Sequence, residues 1–185
     1  MRTFDQEFIQ RCKKQDKSAQ KKLFEELYAP LVRSASRYLT DLSEAEDCVM
    51  KGLLKAFLNI RNFTYQEPQG LHLWIRRIVI NEALMVLRKR RNFFLSLEEE
   101  LSSTGIENEA LDKIAVEELN QLIMSLPEGY RTVFCLYVVD GYSHADIASQ
   151  LGISENTSRT QLSKARNKLK LLIERRENVK PGFGG

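Results

Sequence analysis

The chain's 185 residues, 43% hydrophobic and 29% charged with a formal net charge of +3, suit one ordinary domain or two small ones, and exclude a chain disordered throughout. No apolar run approaches the ~20 residues that cross a bilayer, and Met1-Arg2-Thr3-Phe4-Asp5 lacks the apolar core of a secretory signal, so no membrane insertion and a cytoplasmic location are expected. Cys12, Cys48 and Cys135 are odd in number, widely spaced and without a Cys-x-x-Cys pair, and the two histidines stand apart, which argues against a disulfide framework or zinc site.

Buried thiols, no metal and no cofactor are therefore expected. Apolar residues recur with helical spacing almost throughout and no run alternates with period two, so the expected fold class is all-α. A first helix is expected near residues 4–14. A second near 17–39 has Asp16 as its N-cap. A third near 44–61 opens on Ser43-Glu44-Ala45-Glu46, a capping-box pattern. The fourth, near 70–91, is apolar on two sides: Leu71, Trp74, Ile75, Ile78, Val79 and Met85 form one stripe, and Ile80, Leu84 and Leu87 form another. Glu82 falls within the first stripe and is expected to be paired or to reach the edge of the core, because a lone buried carboxylate is costly.

Residues 92–108, rich in Ser, Thr, Gly and Glu, read as a linker. Further helices are expected near 109–125, 128–139, 144–150 and 154–177, with residues 181–185 as a loose tail. Pro68 and Pro127 each open a helical pattern, where a missing N–H costs least. The charge follows the same division. Residues 1–91 carry 18 Lys/Arg against 11 Asp/Glu, residues 92–112 carry six acids and no base, and residues 113–185 carry ten bases against eight acids. The expected organisation is a helical domain at 1–91, an acidic linker at 92–108 and a second helical domain at 109–180. Basic modules favour polyanionic partners.

The second domain holds Gly141-Tyr142-Ser143-His144-Ala145-Asp146-Ile147-Ala148-Ser149-Gln150-Leu151-Gly152-Ile153-Ser154-Glu155-Asn156-Thr157. Ser143 with Asp146 caps a short helix, Ile147, Ala148 and Leu151 face inward, Gly152 makes the turn, and Ser154 caps the next helix. Ile153 plugs the core between the helices, and Leu162, Ala165, Leu169 and Leu172 continue the inward stripe. The opposite face is expected to carry Glu155, Asn156, Arg159, Thr160, Gln161, Lys164 and Arg166. This is the pattern of a helix-turn-helix whose second helix enters the major groove, with amides and Arg at base edges and later bases on phosphates. A helical hairpin with a solvated face is the plainer alternative.

In the first domain, Leu73-Trp74-Ile75-Arg76-Arg77-Ile78-Val79-Ile80-Asn81 runs on to Leu87-Arg88-Lys89-Arg90-Arg91. Four consecutive bases suit both the negative end of the helix and a phosphate backbone. Trp74 is either a platform for an unpaired base or a core residue.

The order of these elements resembles the extracytoplasmic-function sigma factors, along nearly the whole chain. Ala45-Glu46-Asp47 looks like the start of their polymerase-binding helix. Trp74-Ile75-x-x-Ile78-x-x-Asn81 with Leu87-Arg88-x-x-Arg91 looks like their promoter-melting segment. Leu126-Pro127-Glu128-x-x-Arg131-x-Val133-Phe134 looks like the opening of their region four. Asp146-Ile147-Ala148-x-x-Leu151-Gly152-Ile153-Ser154-x-x-Thr157 with Lys164-Ala165-Arg166 looks like their upstream-element reader.

The resemblance implies a non-enzymatic factor that binds core RNA polymerase at its clamp helices and flap, recognises and melts promoter DNA, and has an anti-sigma factor as a candidate partner. It implies polymerase contacts at Glu46, Asp47, Met50 and Phe57. The implied DNA contacts are Trp74, Arg77, Asn81, Arg88, Lys89, Arg90, Arg91, Ser154, Glu155, Asn156, Thr157, Arg159, Thr160, Gln161, Lys164 and Arg166. Four positions depart from the family pattern: Met50-Lys51 for Gln-Glu, Met85 for Asp, and Ser158 for Val, the last expected to loosen the recognition helix. Two other readings stay open. A regulator that binds operators without polymerase leaves the Trp74–Arg91 cluster unexplained, and an enzyme lacks any catalytic or phosphate-binding motif.

Overall fold

The structure, a computed structural model, describes residues 3–90 and 116–179, and it divides into two compact units, Met1–Lys89 and Arg90–Gly185. The expected linker at 92–108, the start of the helix expected from 109, and the tail lie outside the described residues. Among the described residues every regular element is helical, as the spacing predicts.

The first unit contains α1 (Gln6–Lys13), α2 (Lys17–Ala35), α3 (Leu42–Asn59) and α4 (Gly70–Lys89), with a 3₁₀ turn at Ile60–Asn62. Asp5 caps α1 by accepting from the Phe8 N–H at 2.7 Å. Asp16 caps α2 as expected, accepting from the N–H groups of Ser18 and Ala19. Leu23, Leu27 and Leu31, one turn apart, are fully buried, each contributing about 1.5–3 kcal/mol by leaving water.

α2 ends four residues before the expected 39. Tyr38 and Leu39 still enter the core, now from a turn in which the N–H groups of Tyr38 and Leu39 both donate to the Ala35 carbonyl. Their spacing from Leu31 and Ala35 suits a continuing helix equally well, so periodicity does not mark this end.

The cap of α3 is also corrected. Asp41, not Ser43, accepts from the Glu44 N–H at 3.1 Å, the helix starts at Leu42, and Ser43 lies inside the first turn. A carboxylate is as good a cap as a hydroxyl. α3 buries Ala45, Cys48, Val49, Gly52, Leu53 and Ala56.

α4 packs chiefly on α3 and also on α2. Gly52 sets how closely: a Cβ there would lie 2.5 Å from Val79 Cγ2 and 3.0 Å from the Val79 Cα. Both sides of α4 are buried, through Leu71, Ile75 and Val79 on one and Ile80, Leu84 and Leu87 on the other. Met85 is exposed instead, and Trp74 and Ile78 are half-buried. Glu82 has its expected partner, the Lys55 ammonium at 2.7 Å. The Phe4 N–H donates to the Pro68 carbonyl, tying the start of the chain to the loop before α4.

The second unit contains α5 (Val116–Met124), α6 (Glu128–Phe134), a π-helical turn at Cys135–Val139, α7 (His144–Leu151) and α8 (Glu155–Val179). Pro127 is the N-cap residue of α6. The helix expected through 139 is α-helical only to Phe134, then widens so that the Asp140 N–H reaches the Cys135 carbonyl. Arg131, buried in α6, donates to the carbonyls of Met124 and Leu126, where α5 ends. All three cysteines are free and buried. Burial pushes the Cys12 thiol up to about 11, with Asp16 acting in the same sense, so it is protonated at neutral pH.

Candidate nucleic-acid interface

α7 and α8 form the helix-turn-helix from local chemistry that the sequence displays. The Ser143 hydroxyl accepts from the Asp146 N–H, and the Asp146 carboxylate accepts from the Ser143 N–H and O–H, a complete capping box. Gly152 sits at φ 70°, where a β-carbon is disfavoured, and turns the chain through three residues. The Ser154 hydroxyl accepts from the Thr157 N–H at 2.9 Å and caps α8. Ile147 and Leu151 are buried between the helices, while Ala148 and Ile153 are half-buried. Leu162, Ala165 and Leu169 continue the inward stripe, which ends on Ile173 rather than Leu172.

The outward face carries most of the expected residues. Ser154, Glu155, Asn156, Arg159 and Thr160 are exposed, and Thr157, Lys164 and Arg166 are half-buried. Arg159 reaches back to Glu155 at 3.2 Å across one helical turn. Such an exposed pair contributes at most a few tenths of a kcal/mol, so the guanidinium is readily given up to a stronger acceptor.

Gln161 is the exception: it is 2% exposed, three residues on from buried Ser158, and points inward rather than to the polar face. Ser158, the position that departs from Val, faces the inside of the module. It is fully buried, with its Oγ 2.9 Å from His144 Nδ1.

In the first unit, the candidate residues of α4 are spread along one helix. Trp74 is half-buried against the Phe63 ring, with centroids 5.4 Å apart, so it combines a core contact with an open edge. Arg77 is exposed, and Asn81 is half-buried. Arg88 and Lys89 form the exposed basic end of α4; Arg90, the first residue of the second unit, is half-buried, and Arg91 lies outside the described residues. This end pairs bases with the carbonyl end of a helix dipole, an arrangement suited to phosphate.

The expected polymerase contacts lie on α3. Asp47 is exposed and Phe57 half-buried. Glu46 is half-buried near Tyr28, whose pKa is raised first by desolvation and then by that carboxylate. Sequence reasoning missed Leu54 and Leu58. With Met50 they form a row at i, i+4 and i+8 that is 50%, 60% and 73% exposed. An apolar face on α3 wider than its neighbours can cover was the available signal.

Two family models match, one for each unit: Sigma-70 region 2 over residues 23–93 and Sigma-70, region 4 over residues 116–169. The RNA polymerase sigma-H factor of Pseudomonas aeruginosa is 27% identical over 175 residues, 88% of this chain and 90% of that protein. The ECF RNA polymerase sigma factor SigW of Bacillus subtilis is 25% identical over 175 residues, 88% of this chain and 92% of that one. Among solved structures, CnrH in complex with the cytosolic domain of CnrY gives a TM-score of 0.49 at 20% identity, covering 90% of this chain and 95% of that one. The sigma factor RpoE in complex with the anti-sigma factor NepR from Bartonella quintana gives 0.48 at 22% identity, covering 87% and 98%. Matched in order by two regions of one family, and aligned along most of its relatives' length, the chain belongs to the extracytoplasmic-function group of the sigma-70 family, the RNA polymerase subunits that direct promoter recognition.

Proposed function

We propose that three surfaces divide the work of initiation. The outward face of α8 reads the upstream promoter element through Asn156, Arg159 and Thr160, with Lys164 and Arg166 on phosphates. α4 and the basic residues that follow it in sequence meet the region being melted: Trp74 and Asn81 take unpaired bases, while Arg77, Arg88, Lys89, Arg90 and Arg91 hold the backbone. Base extrusion costs a few kcal/mol, which these contacts offset. α3 docks on the polymerase clamp helices through Asp47, Phe57 and the Met50–Leu54–Leu58 row, and the second unit docks on the flap. An anti-sigma protein covering that row would compete with core polymerase, which a competition pull-down would reveal. The factor itself catalyses no reaction and works in the cytoplasm.

One observation carries the reading of α8. The polar residues directly after the Ser154 cap stand exposed on the side away from Leu162, Ala165 and Leu169. Losing a bidentate base contact costs about 1–3 kcal/mol and relaxes preference at one position. Losing a phosphate contact weakens all sequences alike and lowers the salt slope by about one. Arg159→Ala is therefore expected to change the preferred upstream element and Lys164→Ala to lower binding uniformly. Randomised-promoter selection with a salt titration tests both, and the opposite assignment would remove α8 from the groove as placed.

The acidic segment with Glu98, Glu99 and Glu100 is proposed to occupy the basic nucleic-acid channel of the polymerase until RNA displaces it. Changing the three to Gln is expected to alter abortive and full-length RNA yields with little effect on promoter binding. Unchanged yields would leave the segment as a plain tether.

A regulator acting without polymerase is the second reading. Such repressors read paired half-sites as dimers, and the Met50–Leu54–Leu58 row has no role in it.

A further inference from the structure

Two polar side chains meet inside the helix-turn-helix. His144, the first residue of α7, is 9% exposed, and Ser158, in the first turn of α8, is fully covered. Their Nδ1 and Oγ atoms lie 2.9 Å apart. The imidazole also stacks on Tyr137 of the π-helical turn, with ring centroids 4.4 Å apart and planes at 22°. One side chain therefore touches the three elements that define the module's geometry. Arg159 follows Ser158 directly, so a rotation or slide of the first turns of α8 moves Arg159, Asn156 and Thr160 together.

An apolar pair would also fill this space, but apolar contact is non-directional. A hydrogen bond fixes a distance and an angle. We propose that His144 and Ser158 are a positioning pair that sets the rotation and height of α8 against α7, and so the register in which Arg159 and its neighbours meet the upstream element. The inference rests on the reading of α8 as the promoter-reading helix.

The electrostatics of the pocket add a condition. Burial first, then the Arg159 guanidinium, with Arg166 in the same sense and Glu155 opposing, hold the imidazole below the ordinary His range. These charges come from α8; Tyr137 faces the ring from the π-helical turn, and Asp146 on α7 itself is engaged with the Ser143 cap. Either neutral tautomer satisfies the pair, with the hydroxyl donating to Nδ1 or Nδ1–H donating to the hydroxyl. As pH falls below about 6.5, an unfolded chain takes up the proton that the folded module resists, so the stability of this arrangement is present above that pH and lost below it.

The test uses holoenzyme reconstituted with the full chain and two promoters that differ only in whether the upstream element is intact or randomised. The readout is the ratio of affinities for the two, from pH 8 down to pH 5, in which common effects on polymerase cancel. Ser158→Ala and His144→Phe are each expected to lower the ratio at pH 8 by roughly 5- to 10-fold, the effect of one net hydrogen bond, with affinity for the randomised promoter unchanged. The parent ratio is expected to fall only as pH drops below the ordinary His range, where the folded imidazole takes up its proton. The double variant His144→Phe with Ser158→Val, which fills the pocket without a titrating group, is expected to be flat over that range and keeps the test usable if a single variant fails to fold.

Single variants that keep the parent ratio, or that lose affinity equally for both promoters, overturn the proposal. So does a double variant with the parent's pH profile. Arg159→Ala separates the layers. If it lowers the ratio and the pair variants do not, the positioning role alone fails. If it keeps the parent ratio, the reading of α8 fails and the positioning role with it.

Discussion

Replacing Leu54 and Leu58 together with Gln is expected to weaken binding to core RNA polymerase by roughly 30-fold or more, with the stability of the first unit unchanged. The two side chains are 60% and 73% exposed, so the fold loses almost nothing when they become polar. Gln also has nearly the helix propensity of Leu. At an interface the loss is concentrated: truncating an apolar anchor at the desolvated centre commonly costs 2 kcal/mol or more, and each 1.4 kcal/mol is tenfold. Titration of labelled chain with core polymerase measures it, with thermal unfolding as the control. A dissociation constant matching the parent's would move the docking surface off this face of α3.

The largest effect on stability is expected from Arg131→Ala in the second unit. The guanidinium donates to the Met124 carbonyl at 3.2 Å and the Leu126 carbonyl at 3.1 Å, closing the end of α5 onto α6. Burial lowers its pKa, with Glu128 acting against the shift. The substitution leaves carbonyl oxygens without their donor and opens a cavity, which together cost about 2–4 kcal/mol. For a unit of this size that is a fall of on the order of 10 °C or more in melting temperature. Hydrogen exchange resolves where the loss occurs: amides of α6 to α8 should exchange faster while those of α1 to α4 do not. Unchanged protection in α6 would mean that the arginine is not a structural tie.

The helices were legible because their cues are local. Asp16, the Ser143–Asp146 box, Gly152 and Ser154 each act within one turn, and each sits where its chemistry requires. Ambiguity began where two local solutions compete. Asp41 and Ser43 are both good caps, and Leu42 carries no signal against helix, so the sequence did not decide between them.

The end of α2 was hidden because Tyr38 and Leu39 keep helical spacing after the helix has stopped. The polarity of Gln161 suggests the outward face, yet its position three after Ser158 and four before Ala165 puts it on the inward stripe. Met50, Leu54, Leu58 and Met85 pose the reverse difficulty. Their spacing says apolar face, and only the packing of neighbouring helices shows which apolar residues are left uncovered. The His144–Ser158 contact spans fourteen residues and two helices, so no local pattern announces it.

The most direct measurement is transcription in vitro from a randomised promoter library with core polymerase alone, the chain alone bound to the same library, and the two combined. The expected result is enrichment of a two-part promoter, with transcripts starting at a fixed distance downstream, only when chain and core are present together. Selection of one operator by the chain without polymerase, with no promoter-specific transcript when core is added, would contradict the assignment of this chain as a promoter-recognition subunit.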